Sequence, residues 1–322
     1  MLTTYAPVAC CDRRKYFNVT DLLRRSELAV PACNDNMFEK GANCGADLVF
    51  LDLEDATPAG VKVESRAKVI AALNDIDWGR TARAIRINGL DTQWCHDDVV
   101  EVVTKAGENL DTIIIPKALR ARDVWWVDVL LTQLEAKLGL SKQIRLEVLI
   151  EEVEGLANAE EIAAASPRLD ALIFGVGDFS LSQGARVDTN FVPLGEYPGE
   201  FWAYARNKVI VAARIAGIDA IDAPYPDYRD LSGYERDARR ASLLGYTGKW
   251  AIHPDQVPVA NEVYAPTADE IARAEANVAA YREAEAKGRG AVGVNGVLVD
   301  AAHVKQAQQT LARAALINGS LA

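Results

Sequence analysis

Two runs of apolar residues between positions 144 and 180 each lead into an acid: IRLEVLI runs into Glu151, and LDALIFGV leads through one glycine to Asp178. Residues 155–165 between them are rich in Ala, Leu and Glu, as a helix should be. A strand–helix–strand unit of this kind puts both strands parallel in one sheet, so both acids emerge at the same C-terminal edge. Two neighbouring carboxylates at such an edge form a seat for a hard divalent cation, Mg²⁺ or in its place Mn²⁺. Taken singly, a strand-end acid reads more simply as a cap for the next element. The pair on adjacent strands is what points to a metal.

The rest of the chain supplies more strands of the same kind. Apolar runs occur at 28–32, 46–56, 82–88, 110–117 and, after the pair already described, at 218–225 and 248–254. Helical stretches separate them, among them 61–74, 97–106, 121–138, 201–216 and 234–244. Eight short strands alternating with helices predict an α/β protein, a (β/α)₈ TIM barrel. An open doubly wound sheet is the alternative, but the turn after the first strand is ACNDN, without a glycine-rich phosphate loop. In a barrel the strand C-termini carry the active site. Here they present Glu54 and Asp55, Arg86 and Asn88, Lys117, Glu151, Asp178, Asp222 and His253. Metal- or anion-binding groups at nearly every strand end indicate an enzyme. Residues 1–264 thus form the barrel domain with an irregular N-terminal extension. Residues 265–322 form a C-terminal helical extension, in which two helices flank a glycine-rich stretch at 288–300.

Composition narrows the class. Half of the 322 residues are apolar and a quarter are charged, as in ordinary soluble domains. No apolar run is long enough to span a bilayer and no secretory pattern opens the chain, so a cytoplasmic protein is expected. The five cysteines (Cys10, Cys11, Cys33, Cys44, Cys95) show no paired spacing, which argues against a disulfide framework or a zinc site. A net charge of −11 argues against nucleic-acid binding but leaves room for an anionic small molecule held by local cations.

The motifs RSELAVP, FLDLEDATP, IRINGLDT, IIIPK, LEVLIE, FGVGDFS, GKWAIHP and the terminal GVLVD resemble the citrate lyase β-subunit-like (HpcH/HpaI aldolase) superfamily, and within it the L-malyl-CoA/β-methylmalyl-CoA lyases. The resemblance runs from about residue 24 to the C-terminus. It implies a Mg²⁺-dependent TIM-barrel lyase that makes or breaks a carbon–carbon bond beside a coenzyme A thioester, yielding a 2-oxo acid such as glyoxylate. By the same resemblance Glu151 and Asp178 are metal carboxylates, and Arg86 is the arginine that holds substrate oxygens. Glu54 and Asp55 support the metal waters and the arginine, and Lys40 and the Ile252–His253 turn contact coenzyme A. Asp300 is a catalytic acid/base contributed by the next subunit's tail, which implies a homotrimer or homohexamer.

Each assignment has a plainer structural counterpart. Arg86 could pair with Asp55, His253 could cap its strand, Lys117 could snorkel at the rim, and Asp300 could cap the helix that follows it. Two stretches depart from the family pattern. The first turn is PACND where PGSRP is usual, so Asn34 occupies a position where a cation can occur. That leaves Arg24, Arg25 and Lys40 as candidate phosphate partners. After Asp178 the chain reads GDFSLSQGARVDTNFVPLGEYPGEF in place of an alanine-rich turn, which opens the choice of oxo acid. Alternatives to a malyl-CoA lyase are a citramalyl-CoA lyase acting through pyruvate, a malyl-CoA thioesterase, an aldolase of free hydroxy acids, and a barrel without activity.

Overall fold

The computed structural model describes residues 22–319. Eight parallel strands close into a barrel in sequence order. They are β1 (Ser26–Pro31), β2 (Leu48–Asp52), β3 (Ala82–Arg86), β4 (Thr112–Ile115), β5 (Arg145–Ile150), β6 (Leu169–Phe174), β7 (Asp219–Asp222) and β8 (Gly248–Ala251). The helices are α1 (Phe38–Ala42), α2 (Lys62–Asp75), α3 (Cys95–Ala106), α4 (Ala121–Leu138), α5 (Val153–Ala157), α6 (Ala159–Ala163), α7 (Val176–Ser182), α8 (Ala203–Ala216), α9 (Leu231–Leu244) and α10 (Gln256–Val263). The expected barrel is thus observed. The helix expected at 155–165 is instead two short ones that meet at Asn158, whose side-chain amide donates to the Leu119 carbonyl across the rim.

The strands are so short because each is buried on both faces and ends where its polar residues begin. One apolar layer, including Val30, Leu51, Ile85, Ile113, Val148 and Leu172, faces the helices. A second, smaller cluster fills the barrel interior: Leu48, Phe50, Ala82, Ala84, Ile114, Leu149, Ala171, Ile173, Ile221 and Trp250. Closure between β8 and β1 depends on Gly248, where a Cβ would lie 1.6 Å from the Arg24 carbonyl oxygen.

The floor of the barrel, where the strands begin, is ionic. Arg24 is fully buried and meets Glu147 at 2.6 Å, Asp170 at 3.1 Å and Asp219 at 3.7 Å. Arg25 beside it pairs with Asp47. Both arginines therefore lie at the end opposite the strand C-termini and are not available to phosphates there, contrary to the sequence expectation. Asp222 is likewise structural: fully buried, it is held by Arg206 and Lys249.

Beyond the barrel, α11 (Ala268–Ala286), an antiparallel hairpin of β9 (Ala291–Val294) and β10 (Val297–Asp300), and α12 (Ala301–Ile317) follow. The expected helical extension thus also contains a hairpin. Its turn is Asn295–Gly296, both with positive φ, the pair of conformations a two-residue hairpin turn requires. The extension has its own small core of Ala274, Val278, Val299, Val304 and Ala307. Its last helix is fastened to the floor: Arg313 donates to the carbonyls of Thr247 and Tyr264, and Leu316 and Ile317 line a cleft with Leu22, Asp47 and Arg80.

Replacing Arg24 with methionine leaves Glu147 buried without its partner. The expected cost is about 3–5 kcal/mol, because breaking one side of a buried ion pair strands the other charge. Urea unfolding of Arg24→Met against the parent chain measures it.

Candidate active site

The site is organised by Asp52, the last residue of β2. In the parallel register Asp52 lies opposite Arg86, the last residue of β3. The Asp52 carboxylate accepts two hydrogen bonds from the Arg86 guanidinium, Nε to Oδ1 at 2.8 Å and Nη2 to Oδ2 at 2.6 Å. The same oxygens accept the backbone N–H groups of Glu54 and Ala56, and the Asp52 carbonyl accepts the Thr57 hydroxyl. The buried Lys62 ammonium closes the loop from below by donating to the Leu53 and Glu54 carbonyls. Glu54 is thereby turned back over the barrel, 3.0 Å from Arg86 Nη1. The partners of Arg86 are Asp52 and Glu54, and not the Asp55 expected from sequence. Burial opposes the Arg86 charge, but Asp52 and Glu54 outweigh it and hold the guanidinium firmly protonated.

Lys117 follows β4 with φ of 49°, a left-handed conformation that a residue with a Cβ adopts only under constraint. The constraint is visible in its bonds. Its backbone N–H donates to Glu151 Oε1 at 2.9 Å, while its ammonium donates to Glu54 and Asp55. Lys117 therefore does not snorkel into solvent. It bridges the acids of the β2 loop to the acid after β5. Burial disfavours its charge, but Glu54, Asp178 and Asp55 more than compensate and raise its pKa.

Glu151 directly follows β5 and is 2% exposed. Burial, with Glu54 and Asp178 adding repulsion against the opposing pull of Arg86, pushes its pKa up to about 8. Asp178 is not on the strand end: it sits in the first turn of α7, beyond Gly175, and is partly exposed. Gly175 is required there, since a Cβ would come within 2.5 Å of Glu151 Cβ and 2.6 Å of Oε2. Asp52, Glu54, Asp55, Glu151 and Asp178 thus gather around two cations, Arg86 and Lys117, and leave an excess of negative charge. Among the described residues no three His, Cys, Asp or Glu side chains form a ready-made metal cage. The arrangement fits Mg²⁺ nonetheless. That ion is commonly held by one or two carboxylates, with water and substrate oxygens completing the shell, and glycine at 175 keeps a Cβ from crowding Glu151 Oε2.

The remaining expected residues lie elsewhere on the rim. Asn34 and Lys40 are exposed on the loop and helix after β1, and Ile252 and His253 lie on the loop after β8. β1 and β8 are neighbours in the barrel, so these four residues share one sector. The His253 ring is stacked on Tyr228 at 5.1 Å, and its Nδ1 accepts the Asp255 N–H, a local capping arrangement. Asp300 is outside its own chain's site. Its Oδ1 caps α12 by accepting the N–H groups of Ala302 and His303, and the His303 ring lies 2.7 Å away, which holds the carboxyl below its ordinary range. Sequence reading missed Asp52, hidden within the acidic run LDLED, and Trp250, whose ring lies against the Arg86 guanidinium at 5.4 Å.

A TIM barrel with a buried arginine and an acidic seat at the strand C-termini defines a class of enzymes acting on oxygen-rich, anionic small molecules. Residues 25–254 match the family model for HpcH/HpaI aldolase/citrate lyase, and the chain belongs to that family. It is 41% identical over 303 residues to the L-malyl-CoA/β-methylmalyl-CoA lyase of Cereibacter sphaeroides, covering 91% of this chain and 95% of that protein. It is 34% identical to the (3S)-malyl-CoA thioesterase of the same species, again over 91% and 95%. Among solved structures it resembles the CitE protein of Mycobacterium tuberculosis in complex with magnesium, acetoacetate and coenzyme A. There the TM-score is 0.71 and the identity 28%, over 91% of this chain and 99% of that one.

Two measurements follow from the geometry. Gly175→Ala should drive the Glu151 carboxylate aside and weaken Mg²⁺ binding roughly tenfold or more, read by calorimetry, since ligand displacement of this kind disrupts a site held by few groups. Were Glu151 to hold Mg²⁺, it would do so as its anion. With a metal-free pKa of about 8, apparent affinity should rise with pH up to that value and flatten above it. Near pH 7 binding should release close to one proton, seen by calorimetry in buffers of different ionisation enthalpy.

Proposed function

We propose that this chain is a Mg²⁺-dependent carbon–carbon lyase. It reversibly cleaves a 3-hydroxyacyl-CoA of the malyl-CoA type into glyoxylate and acetyl-CoA, or propionyl-CoA from the β-methyl substrate. The observation that carries this reading is the buried Arg86, locked by Asp52 beside the Glu151 and Asp178 carboxylates. It occurs in a chain 41% identical to a malyl-CoA lyase over nearly its whole length.

Glu151 and Asp178 would hold the metal, which when bound supplies the Lewis acidity that lowers the substrate hydroxyl's pKa and polarises the carbonyl forming from it. In cleavage a carboxylate, which becomes the acid of the last step, takes the hydroxyl proton, and the bond between the hydroxyl-bearing carbon and the carbon next to the thioester breaks. Its electron pair moves into the thioester as an enolate. Arg86 is suited to that oxygen. Asp52 takes two of its five N–H donors, the guanidinium remains cationic at any working pH, and its orientation is set before substrate arrives. Glu54 holds both Arg86 and Lys117 and Asp55 holds Lys117, and both acids would support the metal seat as hydrogen-bond acceptors. A carboxylic acid then protonates the enolate carbon, and in the condensation direction its carboxylate removes a proton from the acetyl methyl group.

Asp300 is the residue for that proton transfer. Its helix is fastened to the barrel floor of its own chain, so it serves a neighbour's site and the extension covers the neighbour's mouth. The working enzyme is then a homo-oligomer, a trimer or hexamer, acting in the cytoplasm on small molecules. Coenzyme A lies in the sector of Asn34, Lys40, Ile252 and His253. In the absence of the usual cationic turn, Lys40 is the nearest candidate for its phosphates.

The assay is direct. With Mg²⁺ and malyl-CoA, oxo acid should be trapped as its phenylhydrazone without release of free thiol. Free thiol without phenylhydrazone would instead identify a thioesterase, the activity of the 34% identical relative. A better yield from citramalyl-CoA would change the oxo acid to pyruvate. Catalysis in trans is tested by complementation. Arg86→Lys and Asp300→Asn should each be inactive alone, whereas co-expressed mixed oligomers should recover roughly a quarter of the parent activity, because random assembly of a cyclic oligomer pairs an intact Arg86 with an intact Asp300 that often. No recovery would return Asp300 to a capping role.

A further inference from the structure

The barrel interior contains an acid that neither the fold nor the proposed reaction requires. Glu27, on β1, is fully buried, faces inward, and lies beside Trp250 in the β1–β8 register. Its Oε2 accepts the Trp250 indole N–H at 2.8 Å. Its other oxygen, like Oε2 of Glu147, is buried without an N–H donor among the described residues, and the two carboxyl side chains are hydrogen-bonded to each other. Burial and the nearby charge of Glu147 raise the Glu27 pKa well above the usual carboxylate range.

Without Glu27 the indole N–H of Trp250 would be buried with no acceptor. What Glu27 does is orient one ring. Trp250 is held at its edge by Glu27, packed on one side by Phe50 with ring centroids 4.5 Å apart, and tied through its carbonyl to the Tyr234 hydroxyl. Ala29 and Ala84, small residues of the same interior cluster, leave room for the indole. The ring then lies 5.4 Å from the Arg86 guanidinium carbon. Asp52 fixes Arg86 at its edge, and Trp250 supports it through an aromatic ring, where a desolvated cation–π contact is effective.

We propose that Glu27 and Trp250 are positioning residues for the reaction. The Glu27–Trp250 hydrogen bond sets the indole, and the indole sets the plane of the Arg86 guanidinium that receives the enolate oxygen. This rests on the reading of Arg86 as the cation of the lyase site.

The test pairs Glu27→Met with Glu27→Gln. Methionine removes the acceptor and fills the space. Glutamine keeps a carbonyl acceptor for the indole and matches glutamate in shape. Glu27→Met should lose kcat by roughly 10- to 100-fold, the scale expected when a catalytic group is misplaced by a fraction of an ångström. Its KM should change little, and kcat is compared well below the melting temperature, which falls as the buried indole N–H loses its acceptor. Glu27→Gln should restore kcat. A kcat loss that merely follows a fall in melting temperature would overturn the proposal, as would equal loss in both variants. Should Glu27→Met not fold, Trp250→Phe takes its place. It keeps an aromatic face and removes the indole donor, so an unchanged kcat would count against the proposal and a severalfold loss at constant KM for it.

A second readout needs no substrate. The Arg86 Nε–H resonance, identified by its disappearance in Arg86→Lys, should shift in Glu27→Met or Trp250→Phe as the ring above it moves, and return in Glu27→Gln. If the parent chain forms neither oxo acid nor thiol, the lyase reading fails while this resonance still decides the positioning claim. An unmoved resonance overturns it in either case.

Discussion

The pairing of Asp52 with Arg86 is the interaction on which the candidate site depends. It is set by the parallel register of β2 and β3, which ends both strands at the same level. Everything around it follows from satisfying two buried charges. Once the guanidinium takes both Asp52 oxygens along one edge, the remaining lone pairs accept the Glu54 and Ala56 N–H groups, and the chain must turn tightly around the carboxylate. That turn is what carries Glu54 back to Arg86. A buried ion pair adds little net stability compared with apolar packing. Its value here is geometric, since it delivers a cation of fixed orientation to the mouth of the barrel.

The acids outnumber the cations at this end of the barrel, and burial amplifies the imbalance. Glu151 shows the consequence most clearly, because its environment disfavours the anion until a positive charge arrives. The same region contains the backbone's departures from comfort. Lys117 accepts a left-handed conformation so that one residue can both donate its N–H to Glu151 and send its ammonium to Glu54. Gly175 gives up a side chain so that Glu151 and the start of α7 can meet. Strain and close approach are thus concentrated where the charges converge, while the ionic floor, with Arg24 among three acids, is closed and balanced by comparison.

The C-terminal extension reads differently once its anchorage is known. Arg313, Leu316 and Ile317 hold the end of α12 to the face where the strands begin, so the length of that helix carries the hairpin and Asp300 away from that anchor. Val297 and Leu298 of the hairpin are mostly exposed, an apolar tip without a cover among the described residues. A small independent core makes the extension a rigid arm.

The eightfold alternation of the barrel was legible in the sequence because each strand is a short apolar run between polar helices, a pattern that composition alone reveals. The strand-end positions of Arg86 and Glu151 were legible too, as charged residues that close an apolar run, whereas Asp178 lies further on, in the first turn of α7. The Asn295–Gly296 hairpin was legible in principle, but its glycine-rich setting masked it. What the sequence could not express was pairing. Asp52 belongs to a run of three acids within four residues, and only the β2–β3 register decides which of them meets Arg86. Lys117 looked like a rim lysine because a positive φ leaves no mark on composition. Arg24 and Arg25 precede β1, so the barrel rule itself puts them at the end opposite the site; they were read as phosphate partners only because the first turn lacks its usual cation. Glu27 and Trp250 are 223 positions apart, yet barrel closure makes them neighbours. Local patterning determined which elements form and which groups end them. Closure of the sheet, which brings distant strand ends to one level and removes them from water, decided which charges meet.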